Sequence, residues 1–301
     1  MAVERPSANQ YSARMKVLLT GGNGLLGSHL RRVLKRNNLE VVYLVGPSGS
    51  RDPESIALDL SQPIRAAKLP ARVDAIVHCA QSSRYRDFPA GSTHTVGVNS
   101  CSTVELLKYA VEAGATQFVY LSTGSVYCES KRPLTESDPV RSFQSIDIYT
   151  ASKLSGELLV GSFRSLLATA IVRPFFIYGP GQKRSMLIPR IYDKIASGEP
   201  IVLSSQDGLA LNPVHAADVA DAIAVLLAQS ASGVFNCAGP DVITLRELAH
   251  VFGLYQARAP LVKQEPGASE SLVARTSALE SLGWSPHRRL TEHISDIAPN
   301  A

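Results

Sequence analysis

Tyr149 and Lys153 stand four residues apart in Tyr149-Thr150-Ala151-Ser152-Lys153, a spacing that brings two side chains onto one face of a helix. An unperturbed phenol has a pKa near ~10, too high for a base at neutral pH, and an adjacent ammonium favours its phenolate. The two residues therefore read as an acid-base pair, with Lys153 supplying the field. Upstream, Ser122 and Thr123 follow the apolar run Phe118-Val119-Tyr120-Leu121. Either hydroxyl can hydrogen-bond the substrate oxygen whose proton Tyr149 handles, or the two can simply cap a strand end. Tyr-x-x-x-Lys on its own is equally compatible with a solvated helix face.

What the pair lacks is supplied more than a hundred residues earlier by Leu18-Leu19-Thr20-Gly21-Gly22-Asn23-Gly24-Leu25-Leu26-Gly27. A strand followed at once by glycines and a helix aims backbone N–H groups and the positive helix end at one point, where a pyrophosphate can be held without side-chain charge. Gly21 makes the tight turn, Gly24 admits the phosphate, Gly27 lets the helix pack, and Leu25 and Leu26 offer their amides. The alternative is a tight turn that holds no ligand. About 20 residues beyond the glycines, dinucleotide folds place an acidic residue for the adenosine ribose. Val45 occupies that place, followed by Gly46-Pro47-Ser48-Gly49-Ser50-Arg51. No carboxylate there repels a 2′-phosphate, and Ser48, Ser50 and Arg51 can bind one. The cofactor is accordingly read as NAD or NADP, leaning to NADP, unless Arg51 is only a surface residue.

The elements that must position these groups alternate. Strands are expected at Lys16 to Thr20, Glu40 to Val45, near Ile56 to Leu58, Ala75 to His78, Gln117 to Ser122 and Thr169 to Arg173. Helices are expected at Leu25 to Arg36, roughly Val96 to Ala113, and Ile148 to Leu166. Apolar runs alternating with amphipathic stretches are the pattern of a parallel sheet with crossover helices. The rhythm breaks at Tyr178-Gly179-Pro180-Gly181, after which a helix at Leu187 to Ser197 and the capping-box sequence Thr244-Leu245-Arg246-Glu247 fall in a smaller lobe. Between them, a helix at Ala216 to Ala228 and a strand at Val234 to Asn236 return to the main sheet. The fold class is α/β, a Rossmann-type doubly wound parallel sheet with a small, discontinuous C-terminal substrate lobe. Its expected parts are a tail over 1–14, the dinucleotide-binding domain over 15–180 with 212–238 returning to it, and a substrate lobe over 181–211 and 239–301.

Composition narrows the partners. A net charge of +4 over 301 residues is too modest to imply nucleic-acid binding, which leaves a small molecule. The four cysteines, Cys79, Cys101, Cys128 and Cys237, have neither zinc-site nor disulfide spacing. No secretory signal and no membrane span is legible, so the cytoplasm is the expected compartment. His215 and Asp218 are read as structural rather than metal-binding, and no metal site is expected. Trp284 is expected to pack.

With these motifs in order, the chain resembles the extended short-chain dehydrogenase/reductase family, the NAD-dependent epimerase/dehydratase group. The likeness runs from Lys16 to about Leu248. It includes the glycine loop, Asp59-Leu60 where the adenine is met, His78-Cys79-Ala80, Asn99, Ser122-Thr123 before Val126-Tyr127, Tyr149 and Lys153. Arg173-Pro174-Phe175-Phe176-Ile177-Tyr178-Gly179-Pro180-Gly181 and Pro213-Val214-His215-Ala216-Ala217-Asp218 complete it. The resemblance implies Thr123, Tyr149 and Lys153 as the catalytic set. It implies a cofactor site formed by Gly21, Asn23, Gly24, Leu25, Leu26, Gly27, Arg51, Asp59, Leu60, Cys79, Ala80, Asn99, Ser122, Tyr149, Lys153, Pro174 and Phe176. It further implies Tyr-assisted hydride transfer, by an epimerase or a ketoreductase, at a sugar hydroxyl or ketone with a nucleotide sugar as substrate. A homodimer through the helices near Val96 and Ile148 is also implied. The alternatives are a reductase of a non-sugar carbonyl compound and a dinucleotide-sensing protein without chemistry.

Departures from the family pattern limit what carries over: one bears on the reaction, another counts against a nucleotide-sugar substrate. Family members that eliminate water carry an Asp-Glu pair where this chain has Gly124 and Ser125, which argues against a 4,6-dehydratase. Phe176 and Leu211 stand where nucleotide-sugar epimerases often carry a diphosphate-binding asparagine and arginine, with Lys183, Arg184 and Arg190 as candidate substitutes. Cys128 reads as a packed thiol.

Overall fold

The computed structural model describes residues 15–47, 49, 52–267 and 271–299. The expected tail over 1–14 and the phosphate-binding candidates Ser48, Ser50 and Arg51 lie outside the described residues. Two compact units are formed, one by the described residues of Met1–Thr123 with Ser142–Val172 and Ala220–Phe235, the other by Gly124–Arg141, Arg173–Val219 and Asn236–Ala301.

The chain alternates as its pattern requires. β1 (Lys16–Thr20), α1 (Leu25–Arg36), β2 (Glu40–Val45), β3 (Ser55–Ala57) and β4 (Ala75–His78) come first. They are followed by α2 (Ser92–Val96), a π-helical turn over Gly97–Cys101, α3 (Ser102–Glu112), β5 (Gln117–Leu121), α4 (Ile148–Ser162) and β6 (Ala168–Pro174). Next come α5 (Leu187–Ser197), β7 (Ile201–Leu203), β8 (Ala210–Leu211), α6 (Ala216–Ala228) and β9 (Gly233–Cys237). The remaining elements are β10 (Ile243–Thr244), α7 (Leu245–Tyr255), β11 (Val262–Gln264), β12 (Ser271–Leu272) and α8 (Ser277–Glu280). Seven strands form one sheet in the order β3-β2-β1-β4-β5-β6-β9, a Rossmann-type arrangement. Its pairs from β3 to β6 are parallel. Strands covered on both faces favour near-continuous apolar runs, and β4 and β5 are buried at every residue, with the polar His78 and Gln117 at their ends hydrogen-bonded.

Leu18, Leu44, Ile76, Phe118 and Tyr120 bury one sheet face against Leu106, Leu107 and Ala110 of α3 and Val160 of α4. On another side of β5, the Gln117 amide donates to the carbonyls of Leu226 at 2.9 Å and Ala231 at 3.2 Å, tying the end of α6 to the strand. In the second unit, α5 and α7 share an apolar core with Tyr178, Ile201, Leu203 and Leu211. There the capping box of Thr244 and Glu247 opens α7.

Two helices depart from expectation. The helix expected from about Val96 starts at Ser92 and is interrupted by the π turn. Ser92-Thr93-His94-Thr95 is polar and β-branched, with little helical propensity. The Thr95 hydroxyl, donating to the Gly91 carbonyl at 2.9 Å, helps hold it. α4 stops at Ser162 rather than Leu166, giving way to turns from Phe163 onward, with Leu166 63% exposed. No helix among the described residues is long and apolar enough to cross a membrane.

Candidate active site

β1 delivers the chain into the glycine loop. Gly21 has φ +72°, a left-handed backbone that glycine adopts without penalty, and a Cβ there would lie 2.9 Å from the Ala80 nitrogen. At Gly27 a Cβ would come within 2.1 Å of the Gly21 carbonyl oxygen, so the first turn of α1 rests directly on the loop. Gly24 is the N-cap of α1, φ −75° and ψ 171°, and no side chain caps the helix. The N–H groups of Leu25, Leu26 and Gly27 thus point out of a helix start with no side-chain competitor. This cradle fits a pyrophosphate.

A chain of hydrogen bonds runs from that loop through the next two elements. The Ala80 N–H donates to Thr20 Oγ1 at 3.0 Å, and Thr20 Oγ1 lies 2.7 Å from His78 Nδ1. His78 Nε2 lies 3.1 Å from Thr103 Oγ1, which itself donates to the Asn99 carbonyl at 2.8 Å. Because Thr103 spends its only proton on a carbonyl, it must accept from His78 Nε2–H, which leaves Nδ1 to accept from Thr20. The imidazole is neutral, and burial pushes its pKa down to about 3. Asn99, 1% exposed in the π turn, uses both ends of its amide. Its oxygen accepts from the Ser82 N–H at 2.9 Å, and its nitrogen donates to Ser152 Oγ at 2.9 Å. Asn99 thereby braces the loop after β4 against α4.

α4 is started by Asp147, whose carboxylate accepts from the Thr150 N–H at 2.7 Å, fixing Tyr149 in the first turn. Gly156 lets the helix lie close on β5, since a Cβ there would sit 2.1 Å from the Tyr120 hydroxyl. That approach brings the Lys153 ammonium, 1% exposed, to the Leu121 carbonyl at 2.8 Å and 5.2 Å from the Tyr120 ring centroid. Burial lowers the Lys153 pKa to about 8, opposed by Cys79 and Glu157. Tyr149 is hydrogen-bonded to the Thr123 side chain, and burial raises its pKa to about 12. Desolvation is the largest influence on the phenol, ahead of the hydrogen bond with Thr123 that lowers it. The charges felt most at the phenol are those of Tyr85, Asp147 and Arg86.

Several neighbours were not singled out from sequence. The Tyr85 ring packs 4.8 Å from that of Tyr149, with the Arg86 guanidinium over Tyr85 at 5.2 Å. Glu157 accepts a short hydrogen bond from Ser122 Oγ. Glu157 was findable, since it lies one further helical step beyond Lys153. Tyr85 and Arg86 sit in an irregular loop and carry no periodic signal.

At the far end of the glycine loop, the Arg31 guanidinium lies 3.8 Å over the Tyr43 ring, pairs with Asp52 at 2.9 Å and reaches Asn23 Oδ1 at 3.4 Å. A carboxylate therefore stands near this end even though Val45 is apolar. The Asp59 carboxylate is turned onto Ser61, accepting from its N–H at 2.9 Å and its hydroxyl at 2.7 Å, and these bonds hold its pKa low. Leu60 packs into the core beneath. Cys79 is a free thiol whose pKa burial pushes up to about 12.

Pro174 and Phe176 belong to the second unit, Pro174 ending β6 and Phe176 following it with φ +47°. Asparagine adopts that left-handed backbone more readily than phenylalanine does. The Phe176 ring packs at the margin of the second unit's core. A Cβ at Gly124 would lie 2.8 Å from the Phe175 ring, so no carboxylate fits there without displacing it. Leu211 is fully buried. Arg184 is taken by Asp193, at 2.9 Å from Nε, and by the Ile297 carbonyl. Asp218, 1% exposed, accepts from the Arg288 N–H at 3.0 Å and the His287 N–H at 3.3 Å and pairs with the Arg288 guanidinium. His215 Nε2 lies 3.2 Å from Asp296, and Trp284 is buried with its indole donating to the Asp218 carbonyl at 3.0 Å. Among the described residues no group of three or more His, Cys, Asp or Glu side chains could hold a metal ion.

Comparison with known proteins agrees with this geometry. The model of the NAD dependent epimerase/dehydratase family matches residues 17–238. The dTDP-4-dehydro-6-deoxy-D-allose reductase of Streptomyces bikiniensis is 27% identical over 307 residues, covering 93% of this chain and 94% of that protein. The UDP-glucose 4-epimerase of Azospirillum brasilense is 28% identical over 319 residues, covering 94% and 90%. Among solved structures, the dTDP-glucose 4,6-dehydratase DesIV of Streptomyces venezuelae, with NAD and TYD bound, is 27% identical with a TM-score of 0.79, covering 94% of this chain and 96% of that one.

Proposed function

The chain belongs to the NAD-dependent epimerase/dehydratase family, and from that premise we propose that it is an NAD(P)-dependent epimerase or ketoreductase of a nucleotide sugar. One observation carries the assignment. Lys153 is buried with a single hydrogen bond among the described residues, to the Leu121 carbonyl. Its ammonium has three donors, so two remain for the hydroxyls of a nicotinamide ribose. A bound nicotinamide supplies the site with an acceptor and donor of hydride. Tyr149 removes or returns the proton of the substrate hydroxyl, and Thr123, hydrogen-bonded to Tyr149, orients that oxygen. The glycine loop holds the pyrophosphate, with Asn23, Asp59, Leu60, Cys79, Ala80, Asn99, Pro174 and Phe176 as the remaining cofactor-side residues. Residues 181–211 and 239–301 serve the substrate.

Gly124, closed off by Phe175, favours epimerase or reductase chemistry over dehydration, because no acid or base can stand at that position. The two dinucleotides are favoured by different features. Val45 leaves room for the 2′-phosphate of NADP, whereas Asp52, tied to Arg31 beside Asn23, repels one. Side-by-side titration with the two cofactors decides between them. A homodimer through α2, α3 and α4 is supported by Val96, Val104, Val111 and Leu158, exposed at 40%, 38%, 41% and 77%. Sedimentation equilibrium at twice the chain mass is the expected result.

The main test is a thermal-shift panel on the NAD-loaded protein, because a true ligand stabilises by mass action. UDP- and dTDP-sugars are expected to raise the melting temperature. Stabilisation only by carbonyl compounds lacking a nucleotide would replace this reading with a non-sugar reductase. That second reading rests on Phe176 and Leu211 standing where diphosphate anchors are expected.

A further inference from the structure

Glu157 is buried, 7% exposed, at the end of a stripe on α4 that starts with Tyr149 and passes through Lys153. A carboxylate removed from water is stable only when hydrogen bonds or an opposite charge replace the lost hydration. Here Ser122 Oγ, just after β5, donates a short hydrogen bond to Glu157 Oε1. That bond turns the Ser122 hydroxyl into the protein, while the adjacent Thr123 side chain bonds Tyr149. The two neighbouring hydroxyls thus divide between two partners on α4.

The groups around Lys153 come from three elements. The end of β4 and the residue after it contribute His78 and Cys79, β5 contributes Tyr120 and the Leu121 carbonyl, and α4 itself contributes Tyr149 and Glu157. Burial disfavours the charged form of His78, Cys79, Tyr120 and Tyr149 alike. Among these groups, Glu157 is the carboxylate that acts on Lys153.

Resting on the function assigned above, we propose that Glu157 is a positioning residue: its carboxylate keeps Lys153 as an ammonium beside Tyr149, and its bond to Ser122 leaves Thr123 as the hydroxyl that serves the substrate. Glu157 does not touch substrate or cofactor. It acts through Lys153 and Ser122, and no bond is made or broken at it. Burial works against the Lys153 charge, and Glu157 opposes burial.

The experiment uses the full chain labelled with [13Cε]lysine, follows the Lys153 resonance against pH with and without NAD, and compares Glu157→Gln with Glu157→Asp. Glutamine still accepts from Ser122 but removes the charge. Its expected effect is to move the Lys153 midpoint down by about one pH unit or more. Aspartate keeps the charge and should leave the midpoint within a few tenths. A Glu157→Gln midpoint equal to that of the wild type overturns the proposal. Should Glu157→Gln fail to fold, the carboxyl 13C shift of Glu157 in the wild type decides. An ionised carboxylate at pH 7 is required, and a protonated one overturns the proposal. No turnover is needed for either readout, so failure of the nucleotide-sugar assignment and failure of this proposal are separate results.

Discussion

Lys153 in the first unit and Asp218 in the second are each 1% exposed, one a cation and the other an anion, and their surroundings treat them in opposite ways. Asp218 is saturated: a guanidinium and two backbone N–H groups converge on it from the segment around Arg288. Among the described residues Lys153 makes one hydrogen bond, to the Leu121 carbonyl, and Glu157, one helical step further along α4, is engaged by Ser122. A buried charge whose hydrogen-bonding capacity is filled by its own chain serves as a structural tie. One that is fixed in place and left partly unfilled can hold something else. That distinction separates the two clusters better than burial or residue type, since both combine titratable groups and aromatic rings.

The sharpest way to break the comparison is to remove the functional group from each region. Tyr149→Phe deletes the proton-handling hydroxyl while keeping the ring against Tyr85. Turnover is expected to fall by about 10²–10⁴-fold with NAD affinity nearly unchanged. Asp218→Ala is the counterpart. It leaves the Arg288 guanidinium and two N–H groups without their acceptor, and should cost roughly 2–3 kcal/mol of stability, read by urea unfolding, while the cofactor affinity of the folded fraction is retained. Unchanged turnover in Tyr149→Phe would remove the catalytic assignment. A cofactor defect in Asp218→Ala would show that the two regions are not separable.

Much of this division was legible in the chain. β1, β2 and β4 fall where their apolar runs place them, because a strand buried on both faces leaves an unbroken hydrophobic signature. Tyr149, Lys153 and the glycine loop carry fixed spacings that survive in one dimension. The π turn at Asn99 does not, because the hydrogen bonds from Ser82 and Ser152 that accompany it come from residues distant in sequence. Ser122 and Thr123 stayed interchangeable for a similar reason. Which hydroxyl faces Glu157 and which faces Tyr149 depends on the strand's register under α4, and neighbouring positions of a strand give no clue to it. Spacing places Lys153 one helical turn from Tyr149, but it carries no information on the burial that raises the phenol's pKa.

The two buried histidines extend the comparison to pH, with the smallest expected effect. His78 in the first unit is held between the hydroxyls of Thr20 and Thr103 and is depressed to about 3 by burial. His215 in the second unit is also depressed by burial, with Arg288 and His293 adding to the depression and Asp296 and Asp218 opposing it. Both folded pKa values lie below the ordinary 6.5, so the unfolded chain binds protons first. The stability associated with each neutral imidazole is full above about pH 6.5 and is lost as pH falls from there toward the folded pKa, at about 1.4 kcal/mol per pH unit per histidine. Unfolding free energies measured at pH 7, 6, 5 and 4 should therefore decline, and His78→Asn should flatten the slope, by an amount that grows to about one proton toward the acid end of that range. His215→Asn should flatten it as well, because burial, Arg288 and His293 outweigh the opposing Asp296 and Asp218 in disfavouring the imidazolium. A slope left unchanged by His215→Asn would mean that those two carboxylates cancel the depression.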